Sequence, residues 1–298
     1  MAADTPIPTQ LYLELIKRSL TNSIYGAVMP RRPAADAAWK RWIVKALHTR
    51  DLELVQRHDM DGLLAQRAEA GRLRMDGSEW LPEAHTMIGR QRLDSLQHCV
   101  EDALARDVPG DLVECGVWRG GASIFMRAVL EAHGVADRAV WLADSFQGLP
   151  PPNTAEYPAD SGDLHHTVDE LAVSMAQVQE NFRRYGLLDE RVRFLPGWFK
   201  DTLAGSPIEQ VAVLRIDGDM YESTIQVLDA LYARLSSGGY VIVDDYGGIP
   251  ACKRAVDEFR AAHGISDEIH EIDWTGIFWR ASEGGATVPG PRATPHDA

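Results

Sequence analysis

Between residues 110 and 282, short β-branched and apolar runs alternate with stretches of helical period, and most of the runs stop at a glycine or an aspartate. The runs read as strands at 111–116, 139–144, 191–196, 211–217 and 240–245. Helices are expected between them at 121–133, 169–185, 221–235 and 250–263, with Gly264 offering the left-handed stop that a helix end favours. Four of the five runs are nearly continuous in Val, Ile, Leu, Phe and Trp, as parallel strands buried on both faces must be. Strand–helix alternation of this kind predicts an α/β doubly wound sheet.

The pattern then changes. Two short strand-like runs, 268–274 and 277–281, flank Thr275-Gly276, which reads as a tight hairpin. A mostly parallel, Rossmann-like sheet closed by a C-terminal antiparallel hairpin is the layout of the class I S-adenosylmethionine-dependent methyltransferase fold, whereas a dinucleotide-binding sheet more often continues with parallel units. That analogy fixes no function alone. Residues 1–105 read as a helical, strand-poor N-terminal region. Leu11, Leu13, Leu15, Ile16 and Leu20 mark one helix, and Trp39, Trp42, Ile43, Ala46 and Leu47 recur at helical period in another. The expected organisation is this region, a core at 106–283 with a polar lid at 150–168, and a Gly/Pro/Ala-rich disordered tail at 284–298.

Charge and composition exclude some classes. Thirty Lys and Arg against 44 Asp and Glu leave a formal charge of −14, which repels a phosphate backbone and argues against nucleic acid as substrate. Three cysteines without CxxC spacing argue against a disulfide framework or a thiolate metal site and suit a reducing compartment. No apolar run approaches the roughly 18 residues that span a membrane, and the first ten residues lack signal-peptide character. A soluble, cytoplasmic protein is expected.

The first strand runs into Glu114-Cys-Gly116-Val-Trp118-Arg-Gly120-Gly121, where glycines permit a sharp turn and close approach to a ligand. The bulky Trp118 stands where a dinucleotide fingerprint needs glycine, so the turn suits an amino-acid moiety better than a pyrophosphate; a mere tight strand-to-helix turn would use the same glycines. Asp144, followed by Ser145, ends the second strand, where a carboxylate accepts ribose hydroxyls or caps a helix. The fourth and fifth strands end in Asp217-Gly-Asp219 and Asp244-Asp245. Neighbouring parallel strands bring Asp217, Asp244 and Asp245 to one rim, and carboxylates so packed call for a proton or a hard cation such as Mg²⁺. Asp219, just before a helix, reads as a cap. His165 and His166 in the lid could supply a base or simply be exposed. Trp198 and Phe199 after the third strand could stack on an adenine or pack in the core, and Arg119 and Arg215 could pair with the acids.

On these motifs the chain resembles the macrocin O-methyltransferase family, which includes the mycinamicin and novobiocin deoxysugar methyltransferases. The resemblance lies in LYLELIKRSLTNSIYG, TMIGRQRLDSLQHCVEDAL, GDLVECGVWRGGASIFMRAVL, VWLADSFQGLP, LAVSMAQVQENFRRYGLLDERVRFLPGWFKDTL and LRIDGDMYES…GGYVIVDDYG, spanning 11 to about 282. It implies a Mg²⁺-dependent sugar O-methyltransferase using S-adenosylmethionine in antibiotic biosynthesis. It places the metal trio on Asp217, Asp244 and Asp245, the general base on Asp217, and the cofactor contacts on Glu114, Gly116, Trp118, Gly120, Asp144 and Ser145. It further implies a homodimer or larger homo-oligomer and a glycosylated small-molecule acceptor recognised by 23–80 and 150–168. A catechol-type methyltransferase using the same metal, a nicotinamide oxidoreductase and a non-catalytic binding module are the competing readings.

Overall fold

The computed structural model describes residues 7–24, 75, 77 and 83–282. The helix expected around Trp39–Leu47, the tail at 284–298 and most of the 23–80 segment lie outside the described residues.

Among the described residues, α1 (Ile7–Leu20) and α2 (Arg90–Ala105) precede the sheet. The alternating region follows as β1 (Asp111–Cys115), α3 (Gly121–Ala132), β2 (Val140–Asp144), α4 (Met175–Arg184), β3 (Val192–Pro196), the short α5 (Phe199–Thr202), β4 (Val211–Ile216), α6 (Tyr221–Leu231), β5 (Leu235–Val243) and α7 (Pro250–Ala262). It closes with β6 (His270–Glu271) and β7 (Ile277–Arg280). The seven strands form one sheet in the order β3-β2-β1-β4-β5-β7-β6. The first five are parallel, and β7 enters antiparallel between β5 and β6. This is the class I methyltransferase sheet anticipated from the alternation.

The unbroken apolar runs have a simple cause. Successive side chains of a strand point to opposite faces, and here both faces are covered. Val140, Leu142, Tyr240 and Ile242 share one core with Leu13 of α1, Leu93 of α2, Phe125 of α3 and Phe182 of α4. Trp141, Ala143, Val241 and Val243 share the other with Val227 of α6, Phe259 of α7 and Trp279 of β7. The N-terminal helices thus belong to the same core as the sheet, and α1 and α2 both pack on α3. All three cysteines are free and buried. No helix among the described residues is long and apolar enough to cross a membrane.

Three elements differ from the sequence reading. The helix expected over 169–185 starts later, at Met175, because Ser174 accepts a hydrogen bond from the Gln177 backbone at 3.3 Å and caps it there; the residues before it form single 3₁₀ turns. Helix α6 passes at Leu231 into a 3₁₀ turn over Tyr232–Arg234, close to its expected end, but β5 begins at Leu235 rather than 240. Gly238 there takes φ +80°, and the β4–β5 pairing shifts register, so the strand enters through a bulge. The hairpin is also looser than a two-residue turn. The Asp273 carboxylate accepts from the Thr275 and Gly276 backbones at 3.0 and 2.8 Å, leaving β6 only two residues long.

The antiparallel end of the sheet is anchored by Trp279, which is fully buried and has the Arg260 guanidinium 4.7 Å above its ring. Trp279→Ala should therefore cost about 3–5 kcal/mol. Urea unfolding would show a lower midpoint at unchanged m; an unchanged midpoint would mean that the hairpin is not integral to the core.

Candidate active site

The strand order reverses between β1 and β4, and an open α/β sheet forms its ligand crevice at such a switch point. A cleft open to solvent lies there. Gly116, Trp118, Asp144, Ser145 and Asp217 line it, joined by residues following β3 and by the start of α6.

The glycine turn is required by the backbone. Gly116 takes φ +87°, and a Cβ on it would stand 1.7 Å from the Asp217 carbonyl oxygen, so β1 and β4 approach this closely only with glycine there. Trp118 adopts the left-handed region at φ +46° and is held by its indole N–H donating to the Glu170 carbonyl at 2.9 Å, with Arg119 stacked 4.2 Å from the ring. Arg119 also donates to the Ala84 carbonyl. Gly120 does not reach the cleft. It starts α3 at φ +84°, and a Cβ there would press on Val178 of α4 at 2.8 Å.

Asp144 works on both sides. Its Oδ2 accepts from the Val117 backbone at 2.7 Å and its Oδ1 from Phe146 at 2.6 Å, which locks the turns after β1 and β2 together. Asp144 also lines the cleft. Burial raises its pKa against the pull of these backbone donors. Ser145 Oγ donates to the Gly148 carbonyl at 2.6 Å and accepts from Gln147, shaping the cleft wall.

Behind the cleft is a buried ionic network. Arg215 on β4 reaches Glu114 at 2.6 Å, Asp217 at 2.9 Å and Asp244 at 2.5 Å, and Arg92 from α2 bridges Asp244 to Asp273. Glu114 also accepts from Ser123, is 1% exposed and does not line the cleft. Burial, outweighing Arg215, pushes its carboxyl up to about 7.

Asp217, Asp244 and Asp245 converge as expected, with one oxygen from each lying within 4.8 Å of the others. Burial and neighbouring negative charge raise Asp217 to about 6 and Asp219 to about 7, and they raise Asp245 well above the ordinary range. A set of hard oxygens held together against such repulsion suits a divalent cation.

Asp219 is not a helix cap. It sits at φ +57°, lines the cleft and donates its backbone N–H to Asp245 at 3.2 Å. The cap on α6 comes from the lid: the Asp160 carboxylate accepts from the Tyr221 and Glu222 backbones at 2.7 and 2.9 Å. Proximity in sequence pointed to the wrong aspartate. His165 is turned by its lid neighbour, Nδ1 standing 2.7 Å from Asp163; burial lowers its pKa, but that contact and the Asp219 charge leave it raised. Neither His165 nor His166 lines the cleft, whereas Trp198 and Phe199 both do.

The profile of the macrocin-O-methyltransferase (TylF) family matches residues 9–281, which take in the whole sheet and all but the first two residues of α1. The chain belongs to that family. It is 49% identical over 276 residues to mycinamicin III 3''-O-methyltransferase of Micromonospora griseorubida, covering 92% of this chain and 97% of that one. It is also 49% identical over 277 residues to 8-demethyl-8-(2,3-dimethoxy-alpha-L-rhamnosyl)-tetracenomycin-C 4'-O-methyltransferase of Streptomyces olivaceus, covering 93% and 94%. The solved structure of the O-methyltransferase NovP superposes with a TM-score of 0.77 at 45% identity, covering 92% of this chain and all of that one.

In this family member the glycine turn and the carboxylates at the strand ends are legible in the sequence. Arg92, whose partner lies 152 residues away, and Asp160, whose carboxylate looks like any other in a polar loop, are not. Removing the central cation should unbalance the network. Arg215→Met is expected to cost about 3–5 kcal/mol, since it leaves buried carboxylates uncompensated. Thermal and urea unfolding would measure the loss; a melting point equal to wild type would show that the acids share protons without needing the guanidinium.

Proposed function

We propose that this member of the macrocin O-methyltransferase family methylates a sugar hydroxyl of a glycosylated natural product. S-adenosylmethionine is the methyl donor, and a divalent cation, Mg²⁺ in the first instance, is held by Asp217, Asp244 and Asp245. One observation carries the reading: Asp217, which converges with Asp244 and Asp245, lines the same cleft as the Gly116 turn and Asp144. The sugar is supported by the relative whose name specifies a rhamnosyl group, at 49% identity over nearly the full length.

The chemistry asks little of covalent catalysis. Bound S-adenosylmethionine supplies an already activated methyl, which leaves sulfur as the oxygen–carbon bond forms. A cation on the trio supplies positive charge that favours a vicinal diol and lowers the pKa of one hydroxyl. The chain's own residues align and deprotonate. Val117 and Phe146 hold the Asp144 carboxylate where it can accept the ribose hydroxyls. The glycine turn lets the amino-acid end approach β1. Asp217 engages Arg215 through Oδ2, and its Oδ1 accepts no hydrogen bond from the described residues, so Oδ1 is the atom that takes the hydroxyl proton. A carboxylate suffices as base because a cation on the trio would already lower the pKa of the hydroxyl it deprotonates.

Calorimetric titration with S-adenosylhomocysteine should show one-to-one micromolar binding that is lost in Asp144→Ala; wild-type protein that does not bind it sinks the reading. Stripping metal with chelator should abolish turnover of glycosylated acceptors while leaving that binding intact, with Mg²⁺ restoring the rate. Asp217→Asn should lower kcat by about 10²–10⁴-fold. A parallel collapse of S-adenosylhomocysteine affinity in Asp217→Asn would refute the division between base and cofactor site.

A further inference from the structure

Helix α6 has no cap of its own. Met220, the residue in front of it, accepts no hydrogen bond from the first turn through its side chain. The Tyr221 and Glu222 N–H groups are filled instead by the Asp160 carboxylate, at 2.7 and 2.9 Å, from 61 and 62 positions away. Asp160 is 2% exposed and closes the 3₁₀ turn Pro158–Asp160, which packs on both α6 and α7. Two neighbours dock the same stretch. The Tyr157 ring lies 6.0 Å from that of Tyr221, and the Asn153 backbone N–H neighbours the Glu222 carboxylate. The 150–168 segment is thus fitted to one turn of one helix.

What precedes that turn is the carboxylate trio. Strand β4 ends at Ile216, and only residues 217–220 join it to α6. The strand side is fixed, because the Asp217 N–H donates to the Cys115 carbonyl at 2.9 Å. Between the two ends the Met220 N–H folds back on the Gly218 carbonyl across Asp219, which sits at φ +57°. A three-residue turn of that hand is rare and strained, and it persists only where its surroundings hold it. Its shape aims the Asp219 N–H at Asp245, 3.2 Å away, just as an Asp217 oxygen comes within 4.8 Å of one from each of Asp244 and Asp245. The cofactor groups are held by other bonds: the Gly116 N–H donates to the Ala143 carbonyl, and Asp144 is gripped by Val117 and Phe146. We propose that Asp160 is a positioning residue for the cation. By capping α6 it holds the turn over 217–219 in place against Asp245, and so ties assembly of the trio to docking of the 150–168 segment. The inference rests on the trio holding a divalent cation, and goes beyond that reading by naming a residue outside both the trio and the cleft lining.

Full-length wild type, Asp160→Ala and Asp160→Asn are titrated with Mn²⁺, the free ion being followed by electron paramagnetic resonance, and with S-adenosylhomocysteine by calorimetry. Asp160→Ala should weaken Mn²⁺ binding about tenfold, the scale of a lost helix cap, and change S-adenosylhomocysteine affinity by less than about threefold. Asparagine caps about as well as aspartate, so Asp160→Asn should bind Mn²⁺ within about threefold of wild type. Coupling is reciprocal, so a cation must also favour the docked segment. In wild type, Mg²⁺ should slow hydrogen exchange of the Tyr221 and Glu222 amides about tenfold, and this measurement carries the test if the alanine variant does not fold. Mn²⁺ affinity unchanged in Asp160→Ala overturns the proposal, as does exchange indifferent to Mg²⁺. Equal weakening in both variants also overturns it, since lost charge rather than a lost cap would then be the cause. So does a parallel loss of S-adenosylhomocysteine, the mark of general loosening. In each of these cases wild type still binds the ion and the cation reading stands. Wild type that takes up no Mn²⁺ strikes that reading, and the proposal falls with it.

Discussion

Arg215 is the charge around which the site is assembled. A guanidinium 2% exposed to solvent is tolerable only when its donors are filled by acids in good geometry, and here they reach Glu114, Asp217 and Asp244 from three neighbouring strand ends. Arg92 extends the set from α2 to Asp244 and on to Asp273 in the hairpin loop. A helix near the N-terminus, the centre of the sheet and the C-terminal hairpin are thereby tied to one electrostatic cluster. The two guanidiniums do not match all the carboxylates gathered there, and the surplus negative charge points at the cleft. An oxygen from each of Asp217, Asp244 and Asp245 still lies within 4.8 Å of the others, a set that could hold a metal ion.

The cleft follows from topology. Reversal of strand order between β1 and β4 opens a gap at the C-terminal edge, and close contact of Gly116 with the Asp217 backbone keeps its floor narrow. Asp144 spans the turns after β1 and β2, so one side chain both ties them together and lines the cleft. The lid closes on the opposite side through Asp160, which caps α6 with two backbone hydrogen bonds. The first turn of α6 carries Glu222, which lines the cleft, so Asp160 links the 150–168 segment to the cleft wall.

The sequence by itself determined the order of the elements, the doubly wound sheet, the hairpin end and the acids at the strand tips. Those are local signals: an apolar run long enough to be covered on both faces, a glycine where no side chain fits, a carboxylate where a strand stops. Boundaries slipped where a competing local interaction intervened, as at Ser174 before α4, Gly238 in β5 and Asp273 in the hairpin. Only the tertiary structure decided which charges meet. Arg92 finds Asp244 across 152 residues, Asp160 rather than Asp219 caps α6, and Glu114 and Gly120 stand behind the cleft rather than in it. No periodicity encodes these outcomes, because an ion pair or a cap depends on where distant backbones bring their atoms once both cores have packed.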